Sequence, residues 1–310
     1  MNKLLLEYQR KYEDRLLYDP SVLKLIDEDV KVHDQAVSHP LSSAAACLNV
    51  LGTMAESPNN LKTFLNSFDL QIDEILLFPS PCQVGGRRYR DKGYCIFEWV
   101  GPHESPINEK GGGRGYGRTS VDAFVLGIID GRITQVLIEW KFTEGISRDI
   151  SLGRFCGLRG NERLRRYSSV LAELRRNKDF PFLFDEEYKK SKPLSRIGLY
   201  DFSPDHLYQI LRMTLLAKRT IGLKIGNYVV EDYQLLHLTH SQNDQVNTLQ
   251  PCHVILSPGL KPYEGKDLHE AWRELLSEYD RARFKNGYWD KSVPMIDNIE
   301  LRDYLMERYC

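Results

Sequence analysis

Residues 119–142 read Thr-Ser-Val-Asp-Ala-Phe-Val-Leu-Gly-Ile-Ile-Asp-Gly-Arg-Ile-Thr-Gln-Val-Leu-Ile-Glu-Trp-Lys-Phe. Thr119 to Ile129 and Arg132 to Phe142 are both rich in Val, Ile and Phe, and Asp130-Gly131 stands between them. That dipeptide is a strong signal for a two-residue β-hairpin turn, because both central residues need positive φ. If Asp130 and Gly131 alone form the loop, Ile129 faces Arg132 and Asp122 faces Glu139. Directly opposed residues share a face of the sheet, with Cβ atoms about 4.5–5.5 Å apart. Lys141, two residues beyond Glu139, shares that face, and Trp140 points to the other side. Phe124, Leu126, Ile128, Ile133 and Leu137 fill the rest of the face, with Gln135 the exception.

Two opposed carboxylates at ~5 Å and an effective dielectric of ~20 repel by roughly 3 kcal/mol. One reading is that they hold a divalent cation. Carboxylate oxygens suit a hard ion, Mg²⁺ or Mn²⁺, better than zinc. Lys141 would then orient a water or stabilise charge developing at phosphorus. The other reading is a salt bridge from Lys141 to one or both acids at the end of a sheet. Hairpin geometry alone leaves both open.

The order of these residues resembles the core of the PD-(D/E)XK nuclease superfamily: Val-Asp122, sixteen residues, then Glu139-Trp140-Lys141 and a following helix. The resemblance spans about residues 93–170, and Val121 stands where the motif has proline. It implies a restriction-endonuclease-like fold and Mg²⁺- or Mn²⁺-dependent hydrolysis of phosphodiesters, most readily in DNA. Asp122 and Glu139 would hold the metal, with the backbone carbonyl of Trp140 as a further ligand and Lys141 assisting the attacking water. A polar residue and a tyrosine four positions apart often follow in the family, and Arg163 and Tyr167 match that spacing. Glu98 or Glu144 would complete the metal site.

Residues 148–176 hold eight arginines against three acids and no lysine. Arginine's planar fork suits bidentate phosphate contacts, so Arg166 joins Arg163 as a candidate for substrate binding. A solvated helix face with pairs such as Glu162–Arg166 is the alternative. In the glycine-rich segment GGRGYGRT, Gly112 to Thr119, Arg118 stands where a phosphate loop has lysine, and a strand follows instead of a helix. The segment reads either as a loop that brings Arg118 to the substrate backbone or as a plain loop. Arg87 to Lys92 is a second basic cluster. His237 and His240, three apart on a strand, fall on opposite faces and read as ordinary histidines. Ser42 reads as a helix N-terminal cap.

Around this centre, the expected elements are helices in residues 1–70, strands at 72–78 and 93–100, helices at 161–177 and 205–219, a strand at 233–240 and helices at 268–279 and 298–309. The order implies an α/β fold, a mixed central sheet with helices on both faces. An N-terminal helical region, 1–70, would pack on a core of 71–310 as one compact unit. The 310 residues carry a net charge of −1, which excludes a uniformly basic nucleic-acid coat. No apolar run approaches the ~20 residues of a membrane helix. Six scattered cysteines without a CxxC pair imply a reducing, cytoplasmic setting. The functional expectation is a metal-dependent nuclease with DNA as partner, no membrane partner, and openness to homo-oligomer formation. The second hypothesis is a non-catalytic nucleic-acid-binding or assembly protein on the same fold.

Overall fold

The computed structural model describes residues 17–27, 39, 41–110, 117–143, 153–183, 197–249 and 256–310. Residues 1–16 of the expected N-terminal helical region, most of the glycine-rich segment, Glu144 and Arg148, the first of the eight arginines, lie outside the described residues.

The strands are β1 (Glu74–Ile75), β2 (Cys82–Val84), β3 (Arg87–Tyr89), β4 (Ile96–Trp99), β5 (Val121–Ile129), β6 (Arg132–Trp140), β7 (Lys224–Ile225), β8 (Tyr228–Val229), β9 (Asp232–Thr239) and β10 (Phe284–Tyr288). The α-helices are α1 (Ser43–Leu51), α2 (Pro58–Asn66), α3 (Gly157–Arg176), α4 (Asp205–Arg219), α5 (Asp244–Asn247), α6 (Leu268–Leu275), α7 (Glu278–Arg283), α8 (Trp289–Ser292) and α9 (Ile299–Tyr309).

The central sheet runs β1-β5-β6-β9-β10, and β4 pairs with the same edge of β5 as β1. β5 is antiparallel to β1, β4 and β6, whereas β6, β9 and β10 run parallel. The hairpin has the expected register. Asp130 and Gly131 both take positive φ, 50° and 72°, and Ile129 pairs with Arg132. Helices cover both faces, so the expected α/β fold is the observed one.

One face places Ile96, Phe124, Leu137, Leu235 and Phe284 against α3, α4 and α6. The other places Phe97, Ala123, Val125, Val136, Ile138, Leu236 and Leu238 against α1, α2, α9 and Trp289. The described part of the N-terminal region thus builds one of the two cores. Gln135, the polar exception on its face, donates from Nε2 to the Ala217 carbonyl and to Thr220 Oγ1, both at 2.8 Å. This satisfies the amide in the core and ties β6 to the end of α4.

Helix α4 has the expected limits, and α3 begins four residues before its expected start. The expected 72–78 strand shrinks to Glu74–Ile75, and the 268–279 helix breaks at Leu276 into α6 and α7. The β3-β2-β7-β8 sheet and edge strand β10 are additions to the expected set. Among the described residues, no helix is long and apolar enough to cross a membrane.

Candidate active site

The sheet register assembles the site. β4 pairs with β5 through Phe97–Ala123 and Trp99–Val121, so Glu98 lies abreast of Asp122. β5 pairs with β6 through Ala123–Ile138, and continuing by one residue sets Asp122 beside Glu139. β6 pairs with β9 through Glu139–His237, and β10 places Asn286 beside His237. A polar row therefore crosses five strands: Glu98, Asp122, Glu139, His237 and Asn286. The neighbouring register row, Ile96, Phe124, Leu137, Leu235 and Phe284, is wholly apolar.

At the acids the β5–β6 ladder gives way to side chains. The Trp140 backbone N–H donates to Asp122 Oδ2 at 2.6 Å, so this carboxylate closes the hairpin's open end. Lys141 Nζ donates to Glu139 Oε1 at 2.6 Å. The Lys141 backbone is held from both sides. Its N–H donates to the Leu238 carbonyl at 2.8 Å, and its carbonyl accepts from Trp289 Nε1 at 2.9 Å. The Trp140 ring turns away from the acids and stacks on Trp289 at 4.8 Å.

Glu98 accepts from Ser120 Oγ at 2.7 Å. Its φ of 52° places a non-glycine residue in the left-handed region within a strand. This conformation costs about 1–2 kcal/mol. Strain of this kind persists where the surroundings impose it and concentrates at functional sites.

Burial is the main cause that pushes the Asp122 carboxyl well above the usual carboxylate range, and repulsion from Glu139 and Glu98 adds to it. Lys141 and the Trp140 N–H act in the opposite direction. Burial also raises Glu98, with Glu139 and Asp27 adding to it and the Ser120 hydrogen bond opposing it. One lysine thus stands among three mutually repelling acids.

Among the described residues, no three or more His, Cys, Asp and Glu side chains are gathered closely enough to hold a metal ion. Each acid is drawn to its own donor: Asp122 to Trp140, Glu139 to Lys141 and Glu98 to Ser120. In chemistry, the donors suit a hard divalent cation, because they are carboxylate oxygens that gain from added positive charge.

The arginine and tyrosine candidates each have a partner within the structure. Tyr167 is buried, and its hydroxyl donates to Glu109 Oε1 at 2.7 Å and meets the Tyr208 hydroxyl at 3.1 Å. Arg163 Nη1 donates to the Arg154 carbonyl at 3.0 Å. Tyr167 thereby joins α3 to α4 and to Glu109, and Arg163 ties α3 to the segment that precedes it. Arg166 meets Glu162 at 3.4 Å, the expected intrahelical pair. Arg118 is buried and donates to the carbonyls of Pro102 and His103, which fastens a loop. Arg154 makes a two-pronged pair with Asp205 at 2.8 Å, whereas Arg159, Arg165 and Arg176 remain exposed.

Residues that sequence reasoning missed support the row from one side. Arg212 of α4 donates from Nε to Thr119 Oγ1 at 2.8 Å and lies 3.6 Å from Glu109. Glu109 also accepts from the Thr119 N–H and, at 2.9 Å, from its hydroxyl. This buried network fixes the chain immediately before Ser120 and Asp122. Nothing in the local sequence around Glu109 marks it, since its partners come from 10 to 103 residues away. His237 Nδ1 meets His269 Nε2 at 2.8 Å, and His240 Nε2 meets the Tyr309 carbonyl at 2.8 Å, so these two histidines take separate partners.

No curated protein and no solved structure matches this chain. The family model described as "Restriction Endonuclease associating with ARP" matches residues 13–309, nearly the whole length, and the chain belongs to that family.

Proposed function

We propose that this protein is a metal-dependent nuclease that hydrolyses phosphodiester bonds, with DNA as substrate, by a PD-(D/E)XK-type mechanism. The observation that carries the proposal is the alignment of Glu98, Asp122 and Glu139 on three adjacent strands, with Lys141 Nζ 2.6 Å from Glu139. Family membership supports the nuclease reading. Mg²⁺ or Mn²⁺ would be held by Asp122, Glu139 and the Trp140 carbonyl, with Glu98 beside them. When bound, the ion supplies Lewis acidity and lowers the pKa of water.

The chain's own residues do the rest. Lys141 Nζ would orient the water that attacks phosphorus and offset negative charge on the phosphoryl oxygens. Glu139 positions that amine. The Trp140 N–H orients the Asp122 carboxylate, and the Glu109–Arg212–Thr119 network fixes the start of its strand. In the reaction the water oxygen forms a bond to phosphorus, the bond to the leaving oxygen breaks, and that oxygen ends protonated.

The test is incubation of the protein with DNA in Mg²⁺, Mn²⁺ or EDTA. Cleavage that needs metal and disappears in Glu139→Gln is the expected result. Equal cleavage by Glu139→Gln and the original protein would overturn the proposal. The family description names association with ARP, which keeps an assembly role on the same fold as a second reading. DNA retention with neither metal binding nor cleavage would favour that reading.

A further inference from the structure

A second site lies at the far edge of the central sheet. Strand β10 is the last strand, and a pocket of about 560 Å³ opens along it. Its lining includes four cations, Arg273, Arg281, Lys285 and Lys291, against one acid, Asp69. Phe68, Phe284 and Tyr288 supply aromatic wall, while Ser67, Ser292 and Asn286 supply neutral polar groups. That volume falls within the range of ordinary small-molecule sites.

The cations are oriented without being neutralised. Arg281 donates from Nε to the Arg273 carbonyl at 2.9 Å and from Nη2 to the Leu276 carbonyl at 3.4 Å. Arg273 donates to the Asn286 side-chain carbonyl and lies over the Phe284 ring at 5.6 Å. Carbonyl acceptors fix a guanidinium fork but leave its full charge in place. Lys285 pairs with Asp69 at 3.0 Å, yet the Asp69 side chain is 73% exposed, so water screens that pair. Lys291 is 3.6 Å from Asp290, whose two oxygens already accept from the Ser241 N–H and hydroxyl. With Asp290 counted beside Asp69, an excess of two positive charges faces a concave, partly aromatic space.

We infer that this pocket binds a phosphate-bearing ligand. The groups match an anionic ester with an attached ring: arginine forks and amines for phosphoryl oxygens, and aromatic faces for a base. Two sources share this chemistry, a flanking stretch of a nucleic-acid strand and a free nucleoside diphosphate. Asn286 stands two strands from Glu139 in the same register row, about 10 Å across the sheet at ~4.8 Å per strand. The nucleic-acid source rests on the proposed nuclease reading, whereas phosphate binding itself stands without it.

The experiment measures binding in EDTA, where cleavage plays no part. ADP and a fluorescent single-stranded oligonucleotide are titrated into the full chain, its Lys285→Gln/Lys291→Gln variant and Asp69→Asn. Phosphate binding predicts at least about tenfold weaker ADP binding in the double variant and tighter binding in Asp69→Asn. If nucleic acid is the source, the slope of log affinity against log salt falls by about 1.4 in the double variant, at ~0.7 per single-strand phosphate contact. ADP binding that weakens while the oligonucleotide slope stays fixed assigns the pocket to a free nucleotide. Unchanged affinity for both probes in a folded double variant overturns the inference. A failed nuclease reading would show instead as cleavage that survives Glu139→Gln, with these binding results intact.

Discussion

The central sheet carries carboxylates at both ends of its strands, Asp232 beside the β5–β6 turn and Glu98, Asp122 and Glu139 at the opposite end, and the two ends treat them differently. At the turn end, Asp232 accepts from Arg283 Nε and Nη2 at 2.7 and 2.6 Å and from the Tyr233 N–H at 2.8 Å. Arg283 holds its carboxyl below the usual range despite the opposing effect of burial. Nearby, Lys218 is buried between Asp280 at 2.8 Å and Asp179 at 2.6 Å. At the open end, Asp122 shares a single lysine with Glu139 and Glu98, and its carboxyl is pushed up. Where a buried acid serves the fold, the chain supplies a matching cation. On the proposed reading, the under-compensated row in the same sheet trades stability for metal binding.

The sharpest way to break this comparison is to remove each acid and record both activity and stability. Asp122→Asn is expected to lower metal-dependent DNA cleavage by at least about 10³-fold, on the scale of a lost metal ligand or charge-stabilising group. A gel-based cleavage time course checks it, and near-normal cleavage would remove Asp122 from the reaction. Asp232→Asn is expected to leave cleavage intact well below its melting temperature. It should cost about 2–4 kcal/mol in urea denaturation, since it leaves Arg283 without its charge partner.

The two acids also predict opposite pH dependence. Asp122 binds its proton more tightly in the folded chain, so its contribution to stability falls as pH rises from the usual carboxylate range through its raised value. Asp232 binds its proton less tightly when folded. Its contribution is present above the unfolded value and is lost as pH falls through the lowered one. Melting temperatures between pH 3 and 8 should therefore show Asp122→Asn gaining on the original protein as pH rises. Asp232→Asn should differ from the original least at the acid end.

A smaller effect comes from the metal. At 100 times its dissociation constant, Mg²⁺ should add about 2.7 kcal/mol of stability to the original chain. Thermal unfolding with and without Mg²⁺ would show the gain, which should vanish in Asp122→Asn. The smallest effect concerns Glu98. Glu98→Gly relieves the left-handed backbone and should stabilise the chain by up to about 1 kcal/mol while weakening metal binding. Loss of stability in that variant would show that the Ser120–Glu98 contact matters more than the strain.

Much of the fold was legible because its signals are local. Asp130-Gly131 fixed a two-residue turn, the turn fixed the register, and the register aligned Asp122 with Glu139. Helix α4 shows the same locality, as does Ser42, whose Oγ accepts from the Ala45 N–H at 3.3 Å. The supporting cast was not legible. Arg163, Tyr167 and Arg118 have residue types suited to a substrate site, yet each is spent on a tertiary partner.

Composition revealed the arginine excess of residues 148–176, but only packing shows that Arg154 is paired with Asp205 and that Arg159, Arg165 and Arg176 remain exposed. Short strands such as β1 and β10 lack a periodic signature, because their pairing partners lie tens of residues away. The sequence by itself determined the hairpin, its acid pair and the lysine two residues on, since a strand's period of two needs no distant information. The tertiary structure decided that Glu98 joins the row, that Arg212 and Glu109 brace it, and that basic groups converge on β10. Those outcomes depend on which remote segments pack together, and no local pattern encodes that choice.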